Sequence, residues 1–405
     1  MNIHVSNELP KKINNFIKLL INSIDCEYSL NKNFEIDYDI HVVCIGKLAK
    51  HHFKTFYNKN IKYIKSAFII SKNNTSGEII KDKRFHYYQS THPMISDINL
   101  NNTDLFIDYL SNLTSMDKLF FIISGGTSAL IEKLDPEISL EDYLLIMNDL
   151  LYGNYSIDFL NLIRSRISVI KNGKLLNYIN ANVINNLIFS DIPSNNMNSF
   201  EIVGSGPTIY HEYDFETADK WLRKYKLNLS KYKNSNKLHF INNYELDSPY
   251  KYIERIKNIN QNQNIKICPI IHNCYCEDFF NIIDLKKFNI YIGEVTIDLN
   301  QNIKRGGRNS HMALLMSLYC IENNIKNWLV FSIASDGDDG TTGHSGAVIS
   351  SSLLKKYNIT INELEHSIKT FDSFSFIDKY KLSIDFESTN NITDIRGIFT
   401  DIPTL

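Results

Sequence analysis

Glycine is scarce in this chain, and its scarcity marks where the backbone has special requirements. The 405 residues include 16 glycines, about half of the ~7% that is usual in proteins. Glycine is needed where φ is positive or where the backbone approaches a ligand closely. Twelve of the glycines lie in five stretches, where we look first for a functional site: Gly46; Gly125 and Gly126; Gly204 and Gly206; Gly293, Gly306 and Gly307; Gly337, Gly340, Gly343 and Gly346.

A strong net charge and long apolar runs are also absent. Lys and Arg number 43 against 45 Asp and Glu, so the chain lacks the electrostatic footprint that nucleic acid or an anionic membrane requires. No apolar run approaches the ~20 residues that span a bilayer, and residues 1–10 lack the basic-then-apolar order of a signal peptide. We predict a cytoplasmic protein, a monomer or a homodimer, whose partners are small molecules and not nucleic acid or membrane.

The six cysteines are scattered through apolar runs, which predicts buried free thiols.

Three motifs of common enzyme classes are missing. There is no G-x-G-x-x-G, because Gly204-Ser205-Gly206 is followed by a proline where a helix would begin, so a nicotinamide-dependent reductase is disfavoured. There is no G-x-x-x-x-G-K-[ST], which excludes a P-loop enzyme of the usual kind. There is no G-x-S-x-G nucleophile elbow, which argues against an α/β-hydrolase.

Short apolar segments followed by small-residue loops and helical patterns recur along the chain. The pattern predicts strands at 39–45, 65–71, 118–123 and 186–189, with helices at 97–113, 139–152 and 155–170. Continuous apolar strands that alternate with helices indicate a parallel sheet covered on both faces. Ligands of such sheets bind beyond the carboxyl ends of the strands.

The length of the chain predicts more than one domain. Glycine disappears and Lys, Asn and Tyr accumulate at 228–262. We therefore predict an N-terminal domain at 1–235 and a C-terminal domain at 236–405. Further strands are predicted in the second half, at 237–241, 264–270, 288–298 and 327–334.

Three loops have residues suited to anion or cation chemistry, and each also has a purely structural interpretation. Residues 124–128 present hydroxyl and N–H groups to an anion, or form an ordinary turn. Arg308 opens a helix after two glycines and offers a planar fork to phosphate or carboxylate, or is a solvated arginine. Residues 335–342 hold three aspartates that suit Mg²⁺, or form an acidic surface turn.

Taken together and in order, these loops resemble the glycerate 2-kinase family, whose C-terminal half is the MOFRL domain. The similar segments are 46–49, 91–93, 124–130, Asn161 and Arg164 with Ser168 and 171–175, 190–193, 204–208, 293–296, 305–309, 335–340 with Gly346 and Ala347, 372–374, and Asn391 with Asp394. No single segment is specific for this family, but the segments follow one another in the family's order over nearly the whole chain.

The resemblance implies an α/β protein of two domains: an N-terminal Rossmann-like, doubly wound, mostly parallel sheet and a smaller C-terminal MOFRL-type α/β domain, with the active site in the cleft between them. It implies transfer of phosphate from ATP, with Mg²⁺, to the 2-hydroxyl of D-glycerate. In this interpretation the catalytic residues are Lys47, Asp191, Arg308 and Glu294. Asp336 and Asp339 hold Mg²⁺. Substrate and nucleotide are bound by Gly46, His92, Ser124, Gly125, Gly126, Thr127, Ser128, Asn161, Arg164, Ser190, Gly204, Ser205, Gly206, Asn309, Asp336 and Gly337.

Several positions depart from the family pattern. Ser194, Asn195 and Asn196 replace a glycine and two acidic residues, Ser165 replaces a lysine, and Ser310 replaces a glutamine. Because several of these changes remove charge beside the expected substrate pocket, a different small hydroxy acid or polyol is an alternative acceptor. A catalytically silent homologue that binds nucleotide or hydroxy acid is a second alternative. A hydroxypyruvate reductase is a third, which the missing dinucleotide motif disfavours.

Overall fold

The structure is a computed structural model that describes residues 3–5, 9–30, 34, 36–75, 77–153, 155–192, 199–227, 229–230, 237–259, 265–298 and 304–400. Three of the family departures, Ser194, Asn195 and Asn196, lie outside the described residues, as does Pro193 of the same loop.

The strands and helices alternate along most of the chain. The strands are β1 (Ile3–Val5), β2 (Ile40–Ile45), β3 (Ile64–Lys72), β4 (Phe85–Ser90), β5 (Lys118–Ile123), β6 (Val183–Phe189), β7 (Phe240–Asp247), β8 (Ile267–Ile271), β9 (Cys274–Tyr275), β10 (Ile290–Ile292), β11 (Val295–Thr296), β12 (Leu329–Ala334), β13 (Gly346–Ser350), β14 (Ser383–Phe386) and β15 (Asp394–Phe399). The helices are α1 (Lys11–Asn22), α2 (Glu27–Leu30), α3 (Ala49–Asn60), α4 (Asp97–Ser111), α5 (Thr127–Leu130), α6 (Leu140–Tyr152), α7 (Ile157–Ile167), α8 (Ser199–Ile202), α9 (Phe215–Leu222), α10 (Pro249–Ile259), α11 (Phe279–Ile282), α12 (Arg308–Glu322), α13 (Ser351–Lys356), α14 (Ile361–Lys369) and α15 (Ser373–Tyr380). Short 3-10 helices lie at Lys174–Tyr178, Val203–Ser205 and Arg223–Tyr225.

The chain groups into two compact units. Ser29–Leu246 forms one of them, which we call the parallel-sheet unit, and Met1–Tyr28 together with Asp247–Leu405 forms the other, the mixed-sheet unit. Strand β7 lies beside β6 at the edge of the parallel sheet, although the sequence pattern assigned a strand at 237–241 to the second half. The division into domains at 235/236 stays a prediction.

The sheet of the parallel-sheet unit has the order β4-β3-β2-β5-β6-β7 among the described residues. Strands β4, β3, β2, β5 and β6 run parallel to their neighbours. Successive side chains of a strand point to opposite faces, and both faces are covered here. The Phe120 ring lies 5.7 Å from that of Phe56 on α3, and the Phe121 ring lies 6.0 Å from that of Phe106 on α4. Strand β5 is therefore apolar throughout because it is buried on both sides, which confirms the predicted doubly wound sheet.

The mixed-sheet unit is built on a sheet with the order β1-β14-β13-β12-β15-β10-β8 in the described part of the chain. Strand β10 is parallel to β8, and the other neighbours are antiparallel. Helix α12 contributes Met312, Leu314 and Met316 to the buried core. Phe16 of α1 contacts Phe399 of β15, with ring centroids 6.2 Å apart, so the N-terminal helix shares this core.

Local sequence signals determine several helix starts. A capping box formed by Ser139 and Asp142 starts α6, with Ser139 Oγ accepting from the Asp142 N–H at 3.1 Å. Helix α10 begins at Pro249, where the missing N–H costs nothing. Cys26, Cys44, Cys268, Cys274, Cys276 and Cys320 are free thiols, as predicted. Within the described residues, we find no helix whose length and apolar character would let it cross a membrane.

Candidate active site

In the parallel-sheet unit, most of the predicted site residues follow strands that end at one edge of the sheet. Lys47 comes after β2, Ser124 after β5, Asp191 after β6 and His92 after β4. Because these strands are parallel, their carboxyl ends lie on the same side, which is where ligands of such sheets bind. The topology thus gathers loops that are far apart in the sequence.

The side chains of Lys47 and His92 both lie close to Gly126. The Lys47 N–H donates to the Gly125 carbonyl at 3.0 Å. A Cβ placed on Gly126, whose φ is +88°, would be 2.8 Å from Lys47 Cγ and 3.2 Å from the ring of His92. Only glycine fits this left-handed, crowded position without displacing a neighbour. Gly126 therefore lets a basic side chain and an imidazole approach the same turn.

Ser124 fills the space beside Gly46. A Cβ on Gly46 would lie 1.8 Å from Ser124 Oγ, so the loops after β2 and β5 are in direct contact. Ser124 Oγ is buried and forms no hydrogen bond within the described part of the chain. Since buried hydroxyl groups are normally hydrogen-bonded, this hydroxyl is a suitable ligand contact.

Thr127 connects the loop after β5 to the loop at Gly204. Thr127 Oγ1 lies 2.8 Å from the Ile45 carbonyl oxygen, and its methyl group would be 2.9 Å from a Cβ on Gly204. Ser205 Oγ in turn lies 3.4 Å from Asn161 Oδ1. The predicted phosphate-binding loops at 124–127 and 204–206 therefore pack against each other.

A buried ion pair that sequence reasoning did not identify supports these loops. Lys171 Nζ contacts the carboxylate of Glu132, and both side chains are almost fully buried. The next residues after Lys171 bind the loop directly: the Asn172 N–H donates to the Ser205 carbonyl at 2.9 Å. Burial lowers the pKa of Lys171, and the charge of Glu132 opposes this effect. The pair anchors the segment that holds the loop at 205.

Four further predicted residues of this unit are Ser128, Arg164, Ser190 and Asp191. Ser190 is buried, and its Oγ accepts from the Ile192 N–H at 3.2 Å. Ser128, Arg164 and Asp191 are half-buried. Asp191 therefore lies at the end of β6 with part of its side chain accessible, as a residue that binds a hydroxyl group requires.

In the mixed-sheet unit, four charged residues lie at the edge of the sheet where β10 and β12 end. Glu294 follows β10, and Asp336 follows β12. Because β15 is antiparallel to both strands, its first residue, Asp394, lies at the same edge. Arg308, the first residue of α12, brings a positive charge to this edge.

Arg308 is held between two carboxylates. Its Nη1 donates to Glu294 Oε2 at 2.9 Å, and its Nη2 donates to Asp394 Oδ1 at 3.0 Å. Burial lowers the pKa of Arg308, but the charges of Asp394 and Glu294 outweigh burial and raise this pKa above its ordinary value. Burial also raises the pKa of Asp394 to about 7, although Arg308 lowers it. The two-point contact with Arg308 requires Asp394 as a carboxylate.

Asp339 caps helix α12. Its Oδ1 accepts from the Asn309 N–H and its Oδ2 from the Ser310 N–H, both at 2.8 Å, and Ser310 Oγ also contacts Oδ2. A carboxylate at this end of a helix is stabilised by the orphan N–H groups and the helix dipole. Asp339 is 1% exposed, so both oxygens are engaged in this cap. Asp339, which was predicted to hold Mg²⁺ together with Asp336, thus has a structural role as a helix cap.

Asn309 and Ser310 point into the interior. Asn309 Oδ1 accepts from Ser332 Oγ at 2.6 Å, which ties α12 to β12. Both residues are 0% exposed. Ser310, one of the departures from the family pattern, is thus part of the helix cap.

Asp336 and Gly337 form a turn directly after β12. Asp336 is half-buried, and its Oδ1 accepts from the Asp338 N–H at 3.2 Å. Gly337 has a φ of +83°, and a Cβ there would lie 3.0 Å from the Phe386 carbonyl oxygen. Among the residues that the structure describes, no three His, Cys, Asp or Glu side chains are grouped so that they could hold a metal ion.

Comparison with known proteins assigns the family. The family model described as a domain of unknown function, DUF4147, matches residues 5–238, which is more than half of the chain. This chain belongs to the DUF4147 family. The MOFRL family model also matches it, at residues 288–394. Together, the two matches include the loops described above.

Curated relatives of this DUF4147 protein extend over most of its length. The glycerate 2-kinase of Sulfurisphaera tokodaii is 26% identical over 370 residues, covering 87% of this chain and 88% of the relative. The glycerate 2-kinase of Picrophilus torridus is 26% identical over 415 residues, covering 95% of each chain. The crystal structure of a glycerate kinase from Thermotoga maritima has a TM-score of 0.79 at 21% identity, covering 96% of this chain and all of the other. That likeness shows the same fold.

Proposed function

We propose that the protein is a glycerate 2-kinase, which transfers the terminal phosphoryl group of ATP to the 2-hydroxyl of D-glycerate. The observation that carries the proposal is the full-length similarity to proteins named glycerate 2-kinase, in a chain that has Lys47 and Arg308 at its candidate site loops. The chain is thus a phosphotransferase that acts on an alcohol group and uses a nucleotide.

Phosphoryl transfer depends mostly on positioning and on neutralising negative charge. In the proposal, Lys47 and Arg308 are the two positive charges that steady the substrate carboxylate and the transferred phosphoryl group. Arg308 is suited to this role because its fork is fixed by two carboxylates. Lys47 is suited because it lies beside Gly126, where the backbone can approach phosphate closely.

The nucleotide phosphates are assigned to the loops at 124–127 and 204–206. The buried Ser124 hydroxyl supplies an uncommitted polar group there. Asp191 is assigned to orient or deprotonate the acceptor hydroxyl, and Glu294 is the second candidate. Glu294 already binds Arg308 at 2.9 Å, which favours Asp191 for the proton.

The residues after β12 fit a magnesium ion through the chemistry of their donors. Mg²⁺ is usually held by one or two carboxylates together with waters and phosphate oxygens. Asp336 offers a partly accessible carboxylate, whereas the oxygens of Asp339 are engaged by the helix cap. We therefore assign the ion to Asp336, where it would neutralise charge on the nucleotide phosphates.

A different hydroxy-acid or polyol acceptor is the second candidate. The observation behind it is the set of departures from the family pattern, of which Ser165 and Ser310 lie within the described residues. The structure places both side chains in the interior, with exposures of 1% and 0%, and the Ser310 hydroxyl contacts Asp339. Those two changes therefore carry little information about the acceptor, and D-glycerate stays the first choice.

The test is a turnover assay with purified protein, ATP and Mg²⁺. We expect release of ADP with D-glycerate and a product whose phosphate is attached at C2, identified by phosphorus NMR. Activity on another hydroxy acid or polyol, with none on D-glycerate, would change the substrate but keep the reaction type. No turnover with any acceptor, together with retained nucleotide binding, would support the silent homologue. Oxidation of NADH by hydroxypyruvate would support the reductase.

A further inference from the structure

Arg396 is a fully buried arginine with few hydrogen bonds. It lies on β15 two residues after Asp394, so the two side chains share one face of the strand. Its exposure is 0%, and its Nε and Nη1 have no hydrogen-bond partner among the described residues. Nη2 reaches the His272 carbonyl oxygen only at 3.5 Å. Since burying a poorly paired charge is costly, hydrogen bonding does not explain this residue.

The charges around Arg396 alternate in sign from the interior to the surface. Arg396 interacts electrostatically with Asp394, Asp394 pairs with Arg308, and Arg308 pairs with Glu294. The side chains of Glu294 and Arg308 are 41% and 39% exposed, whereas that of Asp394 is 2% exposed. Electrostatic interactions strengthen as solvent is excluded, so Arg396 acts most strongly on Asp394.

We propose that Arg396 is a positioning residue for the phosphoryl transfer: its buried positive charge keeps Asp394 a carboxylate, and that carboxylate fixes the fork of Arg308. The role of Arg308 in catalysis rests on the proposed function. The electrostatic relation among Arg396, Asp394 and Arg308 does not depend on the proposed function.

The ionisation of Asp394 is closely balanced. Burial raises its pKa to about 7, the charge of Arg308 lowers it, Glu294 raises it, and the charge of Arg396 lowers it by a smaller amount than Arg308 does. Loss of the charge of Arg396 therefore raises the pKa of Asp394 further. A protonated carboxyl group keeps one oxygen for its own proton and no longer matches the two-point fork of Arg308.

The other titratable groups that face Arg396 keep their charge between pH 7 and pH 9. They belong to the segment from β8 to β9. Burial raises the pKa of Cys274 above its ordinary value and raises that of Cys276 to about 12, so both groups stay mostly protonated over this range. Burial lowers the pKa of His272 below its ordinary value, so this imidazole remains neutral. A change in activity over this range in an Arg396 variant thus reports on Asp394.

The experiment compares kcat/KM of the wild type, Arg396→Met and Arg396→Lys from pH 6.5 to pH 9. Each unit by which the pKa of Asp394 rises reduces its ionised fraction about tenfold at pH values below both pKa values. At pH 7, close to the wild-type pKa of Asp394, a rise of about one unit lowers the ionised fraction about fivefold, so we expect Arg396→Met to be about fivefold less active than the wild type at pH 7 and within about twofold at pH 9. Arg396→Lys keeps the charge, so we expect its kcat/KM at pH 7 to lie between those of the wild type and Arg396→Met. An equal loss at every pH, or no loss, would overturn the proposal.

Arg255→Met is the matched control. Arg255 also binds a buried aspartate of the same unit, with Nη2 2.8 Å from Asp247 Oδ1 and Asp247 1% exposed. We expect the kcat/KM of this variant to fall at low pH as it does in the wild type. If the fall instead begins at a higher pH, as expected for Arg396→Met, a specific role of Arg396 would be contradicted. If Arg396→Met fails to fold, Arg396→Gln removes the same charge and takes its place in the comparison.

A structural readout separates this inference from the proposed function. If the wild type phosphorylates no acceptor, the kinase proposal fails, and crystal structures at pH 7 and pH 9 still test the inference. We expect the wild-type Arg308 fork to contact Asp394 at both pH values. In Arg396→Met we expect the contact at pH 9 and a displaced fork at pH 7. An undisplaced fork at pH 7 would show that Arg396 does not position Arg308.

Discussion

The side chains of Arg308 and Asp394 form a two-point ion pair, with Nε 2.6 Å from Oδ2 and Nη2 3.0 Å from Oδ1. A planar guanidinium matches a carboxylate in this way, and a lysine ammonium cannot. The pair joins the start of α12 to the start of β15, 86 residues apart in the sequence. Position 308 therefore requires the shape of arginine as well as its charge.

Replacement of Arg308 by lysine tests that requirement. The variant keeps a positive charge but loses the fork, so we expect kcat/KM to fall by about 10²-fold or more, as when one preorganised transition-state donor is removed. The measurement is ADP release with D-glycerate. Arg84→Lys is the control, because Arg84 also contacts an aspartate through Nε and Nη2, at 3.1 and 2.7 Å, but in a more exposed pair. We expect the control to stay within about twofold of wild type. Full activity of Arg308→Lys would contradict the role of the fork.

A double-mutant cycle on Asp394 and Arg396 tests whether the buried charges act together. Asp394→Asn leaves two guanidinium groups without their shared carboxylate, so we expect a loss of about 3–5 kcal/mol in the free energy of unfolding. In that background, Arg396→Met removes one of the uncompensated charges and is expected to restore about 1–3 kcal/mol. Urea unfolding of the four proteins gives the coupling. Additive effects of the two substitutions would show that the charges are independent.

The strands of the parallel sheet could be predicted because their burial is a local property. The strand predicted at 118–123 is β5, Lys118–Ile123, since a run buried on both faces is apolar at every position. The segment at 288–298 differs from its prediction as a single strand. It is divided into β10 and β11 at Gly293, where φ is +133° and a Cβ would lie 2.2 Å from the His272 carbonyl oxygen. The glycine was visible in the sequence, but the backbone that crowds it was not.

The site could be predicted as loops but not as contacts. Glycines and acidic residues at strand ends indicated the loops at 124–128 and 335–340. The contacts that give individual residues their roles are nonlocal: Asp339 caps helix α12 through Asn309, which lies 30 residues earlier in the sequence, and Arg396 acts on Arg308 through Asp394. The second of these contacts depends on the antiparallel register of β15 with β12, which no short sequence pattern specifies.

His311 predicts acid sensitivity of the mixed-sheet unit. It is 4% exposed, lies in the first turn of α12 and stacks on Phe371 with ring centroids 5.1 Å apart. Burial lowers its pKa to about 4 from the ordinary value of 6.5. Between these two values the unfolded chain binds a proton that the folded chain does not, so stability falls as the pH drops from 6.5 to 4. The full effect is about 3 kcal/mol.

His311→Phe keeps the stacked ring and removes the titration. We therefore expect a smaller loss in the free energy of unfolding between pH 7 and pH 4.5 than in the wild type, measured with urea. His366→Asn is the control, since His366 is exposed on α14, and its pH dependence is expected to match the wild type. If the free energy of unfolding of His311→Phe falls between pH 7 and pH 4.5 as much as that of the wild type, the acid sensitivity arises from other groups.

Gly126→Ala tests whether the turn after β5 positions Lys47. The new Cβ would lie 2.8 Å from Lys47 Cγ at a φ of +88°. We therefore expect the lysine to be displaced and kcat/KM to fall more than about tenfold. The left-handed backbone is also expected to lower the free energy of unfolding by about 1–2 kcal/mol. Gly343→Ala is the matched control: φ is +77°, but the nearest atom to its Cβ is Arg305 Nη2 at 3.9 Å. We expect similar losses of thermal stability in both variants and a large loss of activity only in Gly126→Ala. Equal activities would mean that the space beside Gly126 does not control Lys47, and the assignment of that lysine to the reacting phosphate would lose its structural support.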